Sequence, residues 1–350
     1  LTKYDVIIVG AGPAGLKCAQ TLSTSGLDIL LLEKDESPGN KVCAGGITRQ
    51  GVPLLELPDN IIEHKVDEVG FYSRHFHNFK KLPEPVMYTV NRNDLGKWQL
   101  GLLKNTKVQF LNKAKVTDIR KNSVIINKEE EIGFRFLVGA DGVNSIVRRH
   151  LKLPVEKMLA TVQYQIPVTN PKSRLEIFLN AKYFHSWYAW IFPHRDTIAV
   201  GTCADARYLP GKKLKDNFHQ WLKKQDIDIS DARYESFPIS YDYRGYRFGN
   251  IFLAGEAAGL ASGLTGEGIY QSALSGQQIA LTIMDKTGEK DFMQEAINYN
   301  HVQHKFLDLT LRAGAGRSFI HDLILIALKN KWVNHKITNS FSKRPDQTLE

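Results

Sequence analysis

The side chains of this sequence that could do chemistry are gathered in a few short stretches. Gly10-Ala11-Gly12-Pro13-Ala14-Gly15 follows directly on an apolar, β-branched run at residues 4–9 and leads into a helical pattern. A second apolar run, residues 27–32, ends at Glu33. Strand, G-x-G-x-x-G, helix, strand and acid in that order form the fingerprint of a dinucleotide site. Gly10 permits the tight turn, Gly12 lets the backbone approach a pyrophosphate, and Gly15 lets helix and strand pack closely. Pro13 and Ala14 open the helix, whose free N–H groups would hold the pyrophosphate. Glu33 would accept hydrogen bonds from ribose hydroxyls, with Lys34 beside it.

Two more glycine-rich segments fall at strand ends. One is Gly139-Ala140-Asp141-Gly142; the other runs from Gly255-Glu256-Ala257-Ala258-Gly259 to Gly266-Glu267-Gly268-Ile269. Parallel strands deliver their C-terminal loops to one edge, so all three segments are expected to converge on one extended cofactor. Cys43 lies in the loop Lys41-Val42-Cys43-Ala44-Gly45-Gly46. Its glycine pair lets a flat ring or an anion come close, and a helix start just after it would favour a thiolate. Tyr188, Trp190 and Phe192 alternate on a predicted strand ahead of Pro193, so their rings share a face and make a flat apolar wall. Read as sheet core, the same spacing needs no ligand. His185 and His194 flank that strand, where either could reach a diphosphate. No residue spacing suggests a metal, and there is neither a G-x-S-x-G elbow nor a second G-x-G-x-x-G.

Around these residues the pattern predicts a helix-capable stretch at 47–57 and strands at 66–72 and 86–90. A helix starts at Arg92 and runs to about residue 103, capped by Asn91 or Asn93. Strands are expected at 108–111, 115–120, 123–127 and 134–138, and Ser145 caps a short helix ending near residue 151. Runs at 162–168, 175–179, 187–192 and 197–202 point to an antiparallel sheet with one covered face, joined by an amphipathic helix at 214–225. Residues 250–255 return as a strand of the first domain, and a long helix from Gly266 reaches about Met284. From residue 289 the chain reads as helical to about 331. Its apolar stretch at 323–328 is too short to span a bilayer.

At 350 residues the chain can bury a sizeable core in two domains. Three scattered cysteines, Cys18, Cys43 and Cys203, suit neither a disulfide framework nor a C-x-x-C site, so a reducing, cytoplasmic setting is expected. No basic-then-apolar leader precedes the first strand. The formal net charge is +9, with the basic residues spread and no nucleic-acid module. Beyond plain solubility, the charge suits an anionic substrate or peripheral contact with an anionic membrane surface.

The three glycine-rich segments, taken as a set, resemble the FAD signatures of p-hydroxybenzoate-hydroxylase-like flavoproteins. That resemblance implies FAD as cofactor, with the first motif on the pyrophosphate and Glu33 on the adenosine ribose. Arg92 resembles the arginine that reaches the flavin side from a helix start, and Asp141 and Gly142 lie along the pyrophosphate channel. Glu256 stands where an aspartate usually binds the ribityl chain. Two stretches are similar to the geranylgeranyl reductases within that group: 41–46 to their K-x-C-G-G loop, and 188–193 to their Y-x-W-x-F-P motif. Gly266, Gly268 and Ile269 fit their G-E-G-I helix start beside the flavin. Ala44 and His194 depart from the pattern, where glycine and lysine are common.

The fold implied is α/β (α+β overall). A Rossmann-like FAD-binding domain with a parallel sheet takes residues 1–65, 91–151 and 241–288. An antiparallel-sheet substrate domain takes 66–90 and 152–240, and a C-terminal helical segment takes 289–350. The activity implied is saturation of C=C bonds in a polyprenyl chain on a diphosphate or glycerophospholipid. Cofactor contacts would extend to Cys43, Ala44, Gly45 and Ala257, and substrate contacts to Gly46, Tyr188, Trp190, Phe192 and Pro193. Hydride would come from flavin N5, and the proton from Cys43 as the catalytic residue, with Tyr188 or an ordered water as the alternative. The electron donor would be NAD(P)H or a ferredoxin-like, acidic carrier. Rival readings are an FAD monooxygenase or halogenase, and a flavin- and lipid-binding protein or cyclase without net redox.

Overall fold

The computed structural model describes residues 1–327 except 170, 172, 289 and 290. In chain order its first third contains β1 (Lys3–Val9), α1 (Pro13–Leu22), β2 (Ile29–Leu32), β3 (Gly46–Thr48), α2 (Gly51–Leu54), β4 (Ile62–Val66), β5 (Glu68–Tyr72), β6 (His77–Lys81), β7 (Met87–Val90), α3 (Arg92–Gly101) and β8 (Gln109–Leu111). The middle contains β9 (Val116–Ile119), β10 (Ser123–Ile126), β11 (Glu130–Gly139), α4 (Ile146–His150), β12 (Met158–Pro167), β13 (Leu175–Phe178), α5 (Ala181–Phe184), β14 (Ala189–Pro193) and β15 (Thr197–Asp205). The rest contains α6 (Gly211–Lys224), β16 (Arg233–Glu235), β17 (Ile239–Ser240), β18 (Arg247–Phe248), β19 (Ile251–Leu253), α7 (Ile269–Ile283), α8 (Phe292–Arg312) and α9 (Arg317–Ala327).

The first sheet has the order β18-β19-β11-β1-β2-β8, and every pair from β19 to β8 is parallel. Its central strands are buried on both faces, which is why Val6–Val9 and Ile29–Leu32 are unbroken apolar runs. The first half of β11 carries the antiparallel meander β9-β10. On one face α1 and α7 cross almost backbone to backbone: a Cβ on Gly276 would lie 2.1 Å from the Ala14 carbonyl oxygen. The second sheet has the order β16-β12-β15-β14-β13-β5-β6, with β17 on β12, and is antiparallel except for β13 on β5. The amphipathic α6 covers one face with Leu214, Phe218, Trp221 and Leu222. A small sheet, β3-β7-β4, lies apart from both.

The stretch expected as a helix at 47–57 is instead strand β3 followed by the single turn α2. Residues 46–48 pair with 87–89 of β7, and this ladder outcompetes local helix propensity. Gly46 is needed there because a Cβ would lie 2.6 Å from the Phe192 ring. Residues 66–72 divide at Asp67 into the end of β4 and β5, which join different sheets. The aromatic strand starts at Ala189, after Tyr188, rather than at 187. The helix expected to about 331 is described to Ala327, and its remaining residues lie outside those described.

Candidate cofactor and substrate site

The strand ends of the parallel sheet and one face of the second sheet open onto a single cavity of about 1260 Å³. At its first end β1 turns at Gly10, whose φ of +100° and tight approach to Ala140 both require glycine. Gly15 lies behind the lining, where a Cβ would be 1.9 Å from the Gly10 carbonyl oxygen. Gly12 differs from both. It has ordinary extended backbone, and no protein atom lies within 4 Å of the Cβ it lacks. Gly12 caps α1 with no side-chain hydrogen bond, Pro13 follows, and the first turn holds no acid. The positive end of the helix therefore faces the cavity bare, ready for an anion. Glu33 holds the rim: Ala11 N–H donates to its Oε2 at 2.8 Å and Asp35 N–H to its Oε1 at 3.0 Å. Lys34 lines the cavity next to it.

The second and third motifs reach the same space. The Asp141 Oδ2 accepts from Ile146 N–H at 2.7 Å at the start of α4, and burial pushes its carboxyl up. Its Oδ1 is buried without a partner. Gly142, also lining the cavity, has φ +74° and open space where a Cβ would be. Gly255 and Glu256 line the far side, and Glu256 pairs with Lys41, whose ammonium lies over the Phe237 ring. Glu256 Oε2 and Arg92 Nε are again buried and unpartnered. Arg92 is placed by the start of α3, against which Pro38 and Gly39 pack too closely for a side chain at Gly39 or Gly96. A bare helix N-terminus, basic groups and orphaned polar atoms around one cavity fit a dinucleotide with a polar linker. Ala257 stands behind this lining, its carbonyl accepting from the buried Arg148 at 3.2 Å.

Past this cradle the wall becomes apolar. Tyr188, Trp190 and Phe192 all line the cavity, with Tyr188 and Trp190 edge to face at 6.0 Å. Trp190 lies flat on Gly201 of β15, where a Cβ would be 2.6 Å from its ring. Pro193 is buried behind, its carbonyl accepting from the Thr89 hydroxyl at 2.7 Å. An apolar arm continues through Val69, Leu82, Leu175 and Ile177, and other parts of the wall come from Val302 and Phe306 of α8 and Ile324 of α9.

Cys43, Ala44 and Gly46 line the cavity, while Gly45, with φ +75°, packs on Val90 and His194 behind it. The helix start expected after Cys43 is absent, because β3 takes its place; the Sγ accepts instead from Gly45 N–H at 3.3 Å. The two flanking histidines are also placed differently from expectation. His194 is buried between Glu63 (Nδ1, 2.6 Å) and the Ala44 carbonyl (Nε2, 3.0 Å), so it braces the Cys43 loop. His185 bonds Ser186 at 3.1 Å and packs by Trp187 and Tyr208, away from the cavity lining.

Gly266, Gly268 and Ile269 line the cavity as α7 begins, and so does Glu267 between them. Glu267 is the residue that the sequence reading passed over. The Tyr299 hydroxyl of α8 donates to its Oε2 at 2.8 Å, and its Oε1 is buried without a partner. Burial pushes its carboxyl up to about 7, against the pull of the Tyr299 and Thr48 hydroxyls. The signal available in the sequence was an acid flanked by two glycines at a helix start, where the resemblance gives roles to Gly266, Gly268 and Ile269 but none to the acid.

A family model described as an FAD binding domain matches residues 3–278. Several relatives carry reductase names, among them the following two. The geranylgeranyl diphosphate reductase of Rhodobacter capsulatus is 26% identical over 302 residues, which is 81% of this chain and 75% of that protein. Digeranylgeranylglycerophospholipid reductase 2 of Methanopyrus kandleri is 27% identical over 306 residues, 79% of this chain and 75% of that one. Among solved structures, a geranylgeranyl bacteriochlorophyll reductase-like protein from Thermoplasma acidophilum superposes with a TM-score of 0.78 at 18% identity, covering 99% and 97% of the two chains. The p-nitrophenol 4-monooxygenase of Pseudomonas putida superposes with a TM-score of 0.72 at 16% identity, covering 97% and 98%. At these identities both superpositions speak for the fold.

Proposed function

Because this chain belongs to the FAD-binding-domain family, we propose that it is an FAD-dependent reductase. Its substrate would be a geranylgeranyl or similar polyprenyl chain on a diphosphate or glycerophospholipid, in which it saturates C=C bonds. One observation supports this reading above its rivals: a single cavity runs from the glycine-rich cradle past the aromatic wall into an apolar arm. Its volume, about 1260 Å³, exceeds the roughly 300–1,000 Å³ of ordinary ligand pockets. There is room for an elongated apolar molecule beside a dinucleotide.

When bound, the reduced flavin supplies the hydride. The residues of the chain bind and orient. The N-terminus of α1 holds the pyrophosphate and Glu33 the adenosine ribose, while Arg92, Asp141 and Glu256 use their free polar atoms on the cofactor. Tyr188, Trp190 and Phe192 hold the prenyl chain flat and keep water out. Cys43 and Gly46 sit where that chain would meet the cofactor. Electrons come from NAD(P)H or from a ferredoxin-like carrier that docks transiently, and a net charge of +9 suits an acidic one. An amphiphilic substrate calls for visits to a membrane surface; among the described residues no helix is long and apolar enough to cross one.

The test is anaerobic. Reduce the FAD-loaded protein with dithionite, add geranylgeranyl diphosphate or a digeranylgeranyl glycerophospholipid, and follow the flavin absorbance. The expected result is return of the oxidised spectrum with a gain of two hydrogens per saturated bond. A spectrum that stays reduced until air enters overturns the proposal in favour of oxygen chemistry. One that stays reduced with the lipid bound favours a binder or cyclase.

A further inference from the structure

Saturating an isolated double bond needs a proton as well as a hydride. Of the proton-bearing side chains in the cavity wall near the aromatic strand, burial pushes the Cys203 thiol up to about 12 and Tyr299 gives its hydroxyl to Glu267, which leaves three. Tyr188 is committed: its hydroxyl donates to the Thr265 carbonyl at 3.1 Å, and burial holds the phenol far above its usual range, making it a poor acid. Cys43 is followed by strand β3 rather than a helix start, and its Sγ is engaged by the Gly45 N–H at 3.3 Å. Glu267 is the third. It projects from the turn into α7, between two glycines, with one oxygen fixed by Tyr299 and the other buried, unpartnered and in the cavity wall.

We propose that Glu267 is the catalytic acid of this site, its Oε1 giving the proton to the substrate carbon adjacent to the one that receives hydride, with Tyr299 as the residue that positions it. The inference rests on the reductase reading. In the step, the π pair of the C=C bond takes the proton from Glu267. The neighbouring carbon takes a hydride from two-electron-reduced flavin, which is oxidised. Glu267 leaves as carboxylate and regains its proton from solvent before the next turn. A pKa near the working pH is what a general acid needs. The titratable groups facing Glu267 are all phenols, Tyr299 on α8, Tyr270 on α7 and Tyr188 ahead of β14. No salt bridge of the described residues reaches it; the hydroxyls of Tyr299 and Thr48 favour its charged form, and burial outweighs both.

Two measurements test this. In the flavin-free protein, infrared difference spectra should show a buried carboxylic-acid band that titrates near pH 7, is missing in Glu267→Gln, and moves to higher pH in Tyr299→Phe, which loses a bond to the charged form. In the anaerobic reoxidation assay, E267Q should still bind FAD and accept electrons from dithionite, but reoxidation by prenyl substrate should slow by about 100-fold or more. Wild-type-speed reoxidation in E267Q overturns the assignment. So does the absence of any such band above pH ~5, the ordinary range of a glutamate. If the wild type is not reoxidised by any prenyl substrate, the reductase reading falls and the catalytic role falls with it. The flavin-free titration then still reports on the carboxyl itself, so the two failures are told apart.

Discussion

Gly12 and Gly15 stand three residues apart in one motif and answer to different demands. Gly15 serves the protein's own packing, so Gly15→Ala should destabilise the flavin-free protein by about 3 kcal/mol in urea unfolding, the scale of overpacking against backbone. Gly12 has no internal steric reason to be glycine. Gly12→Ser should leave the flavin-free fold as stable or a few tenths of a kcal/mol better, because serine is a good N-cap. It should nevertheless cost at least about tenfold in FAD affinity by fluorescence titration, since the new hydroxyl occupies the anion's place on α1. Thiol chemistry separates the cysteines similarly. Cys203 and Cys43 both line the cavity, but burial raises the Cys18 thiol and pushes that of Cys203 up to about 12, while Cys43 is only half-buried. A thiol-disulfide reagent should therefore titrate one cysteine in the native flavin-free protein and three after unfolding. At this scale the sequence was readable wherever spacing along one turn sets the geometry, as in 10–15. It was opaque where a role depends on a partner far along the chain. Glu267 is held in place by Tyr299, and His194 by Glu63 and Ala44.

The parallel strands, α1, α3 and α7 follow from apolar runs, caps and glycines that can be read locally. The Asn91 cap of α3 and the Ser145 cap of α4 are such local signals, each accepting from a backbone N–H of its first turn. The segment after Cys43 could not be read in this way. Its helical pattern competes with an open edge of β7 that the sequence does not announce, and the ladder wins. That small sheet gives the Cys43 loop its floor, and His194 fastens the loop from the β14 side. His194→Ala should thus cost about 2 kcal/mol of stability, the worth of two buried hydrogen bonds. It should also raise hydrogen exchange at 43–46 relative to β1, a pattern that a general loss of stability would not give.

Across the whole molecule, one buried carboxyl should be visible in stability. Glu267 ionises near 4.5 when unfolded and near 7 in the fold, so the folded state holds its proton more tightly. The contribution is fully present below pH 4.5 and is lost as pH rises to 7. Wild-type flavin-free protein should therefore lose roughly 3 kcal/mol across that window relative to E267Q, measured as paired urea midpoints. The two-sheet plan was legible because each sheet has its own hydrophobic period. The separate β3-β7-β4 sheet was not, since its strands are short and come from three places. The α1–α7 crossing has a consequence in time as well as in space. Ala14 and Gly276 meet closely, yet α7 leaves the ribosome roughly 250 residues after α1, a delay of tens of seconds at ordinary synthesis rates. Until then the dinucleotide fingerprint has no opposing wall, and its apolar strands depend on whatever shields a nascent chain. Cofactor capture is thereby a late event in the life of each molecule, and a chain halted before residue 269 should emerge without flavin.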